Sequence, residues 1–219
     1  MGTVSRGTST PQALATALQE LRPELPEALV HDLSAHFALM LEWNRTHNLT
    51  RVVDPAQAAS VHYLDSLLPL LDLSPPSLVA DLGSGNGLPG VAAAALWPDT
   101  RVVLVESVAK KCSFLRALRS HLPHLKLDVV SGRVESVTPV LAELVLTRAT
   151  FPWPELALSS RRHLAVGGQL LAYLGREVPS QEQWAELVQA VGMHRPSVTV
   201  YSLPPDGAAR HCAKACTSA

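Results

Sequence analysis

Gly83, Gly85 and Gly87 stand at every second position after an apolar run, with one acid, Asp81, just before them and another, Glu106, at the end of the next apolar run. The first run covers 78–82, and beyond the glycines Leu88, Val91, Ala92, Ala95 and Leu96 recur at helical spacing. That order predicts strand, tight turn, helix. Glycines there let the backbone take positive φ and leave room for a ligand to lie against bare peptide at a helix N-terminus. The chemistry on offer is nucleotide binding, and the alternative is a glycine turn that binds nothing.

The acids discriminate between nucleotides. In a doubly wound sheet Asp81 and Glu106 sit at the carboxyl ends of neighbouring strands, and Glu106 can take a pair of ribose hydroxyls. Asp81 repels the pyrophosphate of a dinucleotide, whereas the sulfonium and ammonium groups of S-adenosylmethionine are attracted to it. Residues 85–90, Gly-Asn-Gly-Leu-Pro-Gly, also satisfy the dinucleotide pattern G-x-G-x-x-G, so a nicotinamide or flavin ligand stays open as the competing reading.

Elements that position these groups can be read around them. Thr10-Pro11 opens a helix marked by Leu14, Leu18 and Leu21, which Pro23 and Pro26 break. A longer helix carries Leu29, Leu33, Phe37, Met40 and Leu41 on one stripe, and Asn48-Leu49-Thr50 leaves it. Asp54-Pro55 starts another, in which His62, Asp65 and Ser66 fall within one turn. Pro75-Pro76 marks a seam between an N-terminal helical region, 11–75, and the domain holding the glycines, 76–219. Past the seam come a helix with Cys112, Leu115, Leu118 and Leu122, strands near 125–130, 144–147 and 169–174, a helix around 181–191 and a strand at 197–203. Pro204-Pro205-Asp206-Gly207 then turns the chain into a last strand, 210–216, which is short of β-branched residues and reads as a weak edge. The alternation predicts an α/β sandwich, its sheet mostly parallel with an antiparallel hairpin at the edge.

Composition narrows the setting. The chain has 219 residues, 47% of them hydrophobic, enough for one main domain and an appendage. No apolar run is long enough to span a membrane. Residues 1–10 are polar with a single Arg6, lack an apolar signal core, and read as a disordered tail. Cys112, Cys212 and Cys216 are odd in number and form no C-x-x-C pair, which argues against a disulfide frame or a metal site and fits a reduced, cytoplasmic protein. A formal charge of −1 makes no case for a nucleic-acid partner. Basic residues do cluster locally: Arg45, His47 and Arg51; Lys110, Lys111, Arg116 and Arg119; Arg161, Arg162 and His163; Arg210, His211 and Lys214. Each cluster is either a solvated face or part of a phosphate-binding surface.

Methyl transfer from a sulfonium needs a nucleophile held in line, so positioning supplies most of the acceleration and no base is required. Attack through cytosine C5 would need a cysteine beside the cofactor, and none is well placed. The Asn/Asp-Pro-Pro-aromatic turn of adenine amino methylation is replaced after the fourth strand by Thr147-Arg148-Ala149. A ring nitrogen such as guanine N7 needs only orientation and hydrogen bonds to the base edge. Arg148 is a candidate for that bond, or for holding the cofactor.

Six ordered motifs carry a resemblance: residues 43–50 (WNRTHNLT), 62–67 (HYLDSL), 81–90 (DLGSGNGLPG), Lys110-Lys111 with Phe114-Leu115, Gly132-Arg133-Val134-Glu135, and Thr147-Arg148-Ala149. Together they resemble the bacterial RsmG (GidB) family. The resemblance implies the Rossmann-like sheet of class I S-adenosylmethionine-dependent methyltransferases under an N-terminal helical cap. It also implies methylation of guanine N7 in the 530 loop of 16S rRNA, in naked RNA or the small ribosomal subunit, with a monomeric enzyme expected. Carried over by motif, cofactor contacts fall on Gly83, Leu88, Glu106, Val134, Glu135 and Arg148, joining Asp81, Gly85 and Gly87 from the turn. Arg148 and Asn48 are candidates to orient the substrate, and Arg45, His47, Arg51, Lys110, Lys111 and Arg116 to meet RNA phosphates. Competing roles are core packing for Val134, turn-holding for Asn48, and bridging of cap to sheet for His62 and Asp65. This chain departs from the family in having Leu174-Gly175-Arg176 where a lysine often precedes the glycine. Alternatives to an rRNA enzyme are a methyltransferase for a small molecule or protein, and a non-enzymatic RNA-binding relative.

Overall fold

The computed structural model describes residues 11–148 and 152–218. The tail read at 1–10, the capping Thr10 and the Ala149 of the sixth motif lie outside the described residues.

The first helices follow the leucine spacing. Helix α1, Pro11–Leu21, buries Leu14 and Leu18, and α2, Glu27–His47, buries Leu29, Leu33, Phe37 and Met40. Asn48 ends α2 with φ of 50°, a left-handed conformation that asparagine tolerates because its short side chain bonds locally. The Asp54 side chain caps α3, Pro55–Ala58, by accepting from the Gln57 amide at 2.8 Å. What sequence spacing did not reveal is that the chain then widens into a π-helical turn, Ala59–Leu64, before α4, Asp65–Leu67. Such turns are rare and concentrate at functional sites.

Beyond the seam run β1 (Leu78–Leu82), α5 (Gly90–Leu96), β2 (Arg101–Glu106), α6 (Ala109–His121), β3 (Leu127–Ser131) and β4 (Ala142–Arg148). They are followed by α7 (Trp153–Arg161), β5 (Leu164–Leu174), α8 (Gln181–Ala190), β6 (His194–Leu203) and β7 (Ala208–Cys216). The sheet order is β3-β2-β1-β4-β5-β7-β6, the first five strands parallel and β7 antiparallel to both its neighbours. Asp81 is in register with Leu104 on one side and Leu146 on the other, which brings the glycine turn, Glu106 and Arg148 to the same edge. The strand order reverses between β1 and β4, the point where doubly wound sheets bind ligands.

The last strand corrects one expectation. Strand β7 is not the edge but lies hydrogen-bonded between β5 and β6, and β6 is the edge. Its small residues are what an inner position under a bulky partner requires: Ala213 and Ala215 are buried beneath Trp184, whose indole N–H donates to the Lys214 carbonyl at 2.9 Å. Helix α7 was not anticipated, because Pro152 and Pro154 bracket its start and only Leu156, Ala157 and Ser160 are buried along it.

The cap and one sheet face share a core. Leu33, Phe37 and Tyr63 pack in one cluster with Val91, Phe114 and Leu118 of α5 and α6, while Leu156, Trp184 and Val188 cover the opposite face. Truncating the fully buried Phe37 to alanine is expected to cost about 3–5 kcal/mol. Because that core joins residues 11–75 to the sheet, urea denaturation followed by far-ultraviolet circular dichroism and by tryptophan fluorescence should give coincident single transitions in wild type and variant.

Candidate functional site

The glycine turn is held from below by strand β2 and at its tip by the cap. Gly83 and Ser84 donate their amides to the Val105 carbonyl at 2.8 and 3.0 Å, and Gly87 donates to the Ser84 carbonyl at 2.7 Å. Gly87 has φ of 93°, and a Cβ there would stand 3.4 Å from the His36 ring. At Gly90, the first residue of α5, a Cβ would lie 2.5 Å from Leu104 and 2.8 Å from an Asp81 carboxylate oxygen. Only glycine lets the helix approach that closely.

Both acids face this turn. Glu106, 5% exposed, accepts from the Gly85 amide through Oε2 and from the Ser107 and Val108 amides through Oε1, each at 2.8 Å. Asp81 is fully buried: Oδ2 accepts from the Gly90 amide at 3.0 Å, and Oδ1 has no hydrogen-bond partner. Burial pushes the Asp81 carboxyl up to about 7, the Gly90 bond and Arg148 opposing it. A buried carboxylate oxygen without a hydrogen-bond partner fits a cationic ligand group.

From the cap side, His36 reaches the turn. Its Nε2 donates to the Asn86 carbonyl and its Nδ1 accepts from the Tyr63 hydroxyl, both at 2.8 Å. Only the neutral ring can donate and accept at once, and burial holds its pKa down at about 4. The contact was missed in the sequence, although a histidine between Leu33 and Met40 on an apolar stripe was the available signal.

Arg148, at the end of β4, binds the π-helical turn and the residues after it. Its guanidinium donates to Ser66 Oγ at 3.1 Å and the His62 carbonyl at 3.4 Å, and pairs with Asp65 at 3.5 Å. Asp65 also accepts from the Tyr201 hydroxyl at 2.9 Å and pairs with Arg210 at 3.7 Å, so it ties cap to β4, β6 and β7. The His62 ring meets Thr50 Oγ1 at 2.8 Å, and burial, then Arg148, lowers its pKa to about 4.

The structure thus gathers Asp81, Gly83, Gly85, Gly87, Leu88 and Glu106 at one turn. Gly132 donates its amide to the Glu106 carbonyl at 2.9 Å, and behind it Val134 is buried while the Glu135 side chain is exposed. Lys110 and Lys111 occupy the first turn of α6, just past Glu106, and Arg116 lies farther along it bonded to Ser131. Asn48, Arg45, His47 and Arg51 cluster instead around the end of α2, where His47 packs on Trp43 with ring centroids 5.0 Å apart. Of the Arg161-Arg162-His163 cluster only Arg161 faces solvent fully.

The fold is the one that class I methyltransferases have. A protein described as a predicted O-methyltransferase from Agrobacterium tumefaciens superposes with a TM-score of 0.56 at 21% identity, over 71% of this chain and 81% of that one. Human N-acetylserotonin methyltransferase, solved in complex with S-adenosylmethionine, gives 0.54 at 14% identity, over 95% and 66%. Sequence goes further: the model of the family described as rRNA small subunit methyltransferase G (GidB) matches residues 30–204, and the chain belongs to that family. It is 38% identical over 174 residues to ribosomal RNA small subunit methyltransferase G of Methylobacillus flagellatus, covering 78% of this chain and 83% of that protein. With the protein of the same name from Halorhodospira halophila it shares 35% over 207 residues, covering 94% and 96%.

The buried groups set a pH dependence of stability. His36 and His62 bind protons in the unfolded chain below about 6.5 but in the native state only near 4, so the stability they contribute is complete above 6.5 and is lost as pH falls towards 4. Asp81 acts in the opposite sense, since its raised pKa lowers stability as pH climbs from about 4 to about 7. Two imidazoles outweigh one carboxyl, so the urea midpoint should fall on acidification from pH 6.5 to 4. It should fall more steeply in Asp81→Asn and less steeply in His36→Gln.

Proposed function

We propose that this chain transfers a methyl group from S-adenosylmethionine to N7 of a guanine in the 530 loop of 16S rRNA, acting as a monomer in the cytoplasm. The observation that carries the cofactor is the unpartnered Oδ1 of buried Asp81 beside the glycine turn. A dinucleotide would bring its pyrophosphate against that oxygen, whereas a sulfonium and an ammonium group suit it. Membership of the rRNA small subunit methyltransferase G family supports the RNA substrate.

In this reading Asp81, Gly83, Gly85, Gly87 and Leu88 hold the methionine end. Glu106 takes a ribose hydroxyl with the one acceptor site its three amide bonds leave over, because a carboxylate accepts about four. Val134 and Glu135 line the adenine. When bound, S-adenosylmethionine supplies an electrophilic methyl group: the N7 lone pair forms the new N–C bond as the C–S bond breaks, the sulfonium becoming a thioether and the base a cation. No proton leaves N7, so the residues have only to orient and desolvate. Arg148, fixed by Asp65 and Ser66, donates to guanine O6 and leaves the N7 lone pair free. Asn48 closes the acceptor side from the cap.

Residues 11–75 then serve as the cap, and 76–219 as the methyltransferase domain. Arg45, His47, Arg51, Lys110, Lys111 and Arg116 meet RNA phosphates. A cleft of about 500 Å³ lined by Arg176, Arg210 and His211 opens at the same sheet edge and supports an extended phosphate track.

Calorimetric titration with S-adenosylmethionine beside NADH tests the cofactor. The methyl donor alone should bind, with Gly83→Ala weakening it about tenfold, because Gly83 holds φ of 74° and a side chain there is strained. Glu106→Ala should weaken it as well. Affinity should rise as pH passes 7, with proton release, since the cation favours ionised Asp81. Labelled cofactor with 16S rRNA or small subunits tests the substrate, and aniline-induced strand scission at the modified guanine reports N7. NADH binding would overturn the cofactor, and no label in either RNA would overturn the substrate.

A further inference from the structure

Between β3 and β4 the chain crosses the site edge as an irregular loop, 132–140, whose backbone must find partners outside the sheet. It begins beside Glu106 through the Gly132 amide, and one tight turn is closed internally where Ser136 and Val137 both donate to the Arg133 carbonyl, at 2.9 and 3.0 Å. Three of its other carbonyls meet two consecutive residues just past α7. Arg162 donates to the carbonyls of Val134 at 3.2 Å, Glu135, and Val137 at 3.1 Å. His163, fully buried, donates from Nε2 to the Val134 carbonyl at 3.0 Å and accepts the Val140 amide on Nδ1 at 3.3 Å. The ring is therefore neutral, and burial lowers its pKa accordingly.

These contacts grip main chain only. The Glu135 side chain stays exposed while its carbonyl is held, and Val134 is fixed at the surface of a core it shares with Leu156 and Ala157 of α7. A planar guanidinium reaching three carbonyls sets the shape of a loop in a way an ammonium on a flexible stem does not. Arg162 and His163, for which the sequence allows either a solvated face or part of a phosphate-binding surface, are turned towards the loop.

We propose that Arg162 and His163 are positioning residues for the nucleoside end of the cofactor, presenting Val134 and Glu135 to the adenine without touching it. The proposal rests on the reading above that this loop lines the adenine. Arg162→Ala should raise the KM for S-adenosylmethionine about tenfold and weaken adenosine alone by a similar factor, a loss typical of one broken charge-assisted anchor. The kcat at saturating cofactor should stay near wild type. Arg162→Lys and His163→Gln, which keep a donor, should give intermediate KM values even if the alanine variant folds poorly. In the alanine variant the Ser136 and Val137 amides should exchange faster with solvent.

An unchanged KM for S-adenosylmethionine in the folded Arg162 variants would overturn the proposal, whatever their melting temperature. Adenosine titrated into wild type, followed by amide resonances of 133–137, separates the two levels. Shifts there with an unmoved KM in the variants reject the clamp alone, and absent shifts reject the adenine assignment and the clamp with it.

Discussion

Much of this site hangs on one uncharged imidazole. His36 joins the cap to the tip of the glycine turn by donating to the Asn86 carbonyl while accepting from Tyr63. A second proton would put a charge in a dry interior, so burial keeps the ring neutral, one nitrogen donating to a carbonyl and the other accepting from a hydroxyl. Tyr63 lies in the π-helical turn, and the adjacent His62 offers its carbonyl to Arg148. A single widened turn thus reaches the glycine turn through His36 and the end of β4 through Arg148.

The carboxylates divide their work by environment. Glu106 is nearly as buried as Asp81, yet three amides satisfy it, and it organises the turn and the start of α6. Asp81 has one amide and an oxygen left over, which costs stability. Two carboxyl groups at similar depth differ because three backbone amides reach Glu106 and a single one reaches Asp81.

How far the sequence disclosed this follows from what each residue signals. Glycines at alternate positions, flanking acids and leucine stripes are local patterns, and they led to β1, β2, the cap helices and the turn. The RsmG resemblance added the order of the later motifs. What stayed hidden depends on pairing between distant segments: His36 with Asn86, Asp65 with Tyr201 and Arg210, Arg162 with the carbonyls of 134–137. The π-helical turn has no periodic signature of its own. Strand β7 was misjudged because propensity describes an exposed edge, and its alanines suit a strand packed under Trp184. Arg161-Arg162-His163 read as surface charge because sequence gives no direction to a side chain at a helix end.

The place of β7 also bears on how the molecule is made. Synthesis delivers β6 before β7, but in the sheet β7 separates β6 from β5. Until residues 208–216 have left the exit tunnel, β6 has no strand to join and β5 shows the solvent an open edge. The five parallel strands that carry the glycine turn can assemble on the nascent chain, whereas the half-buried Tyr201 contact to Asp65, and with it part of the grip on Arg148, waits for the last strand. The tie between Asp65 and the far strands is therefore completed only after the strands that carry the glycine turn have been made.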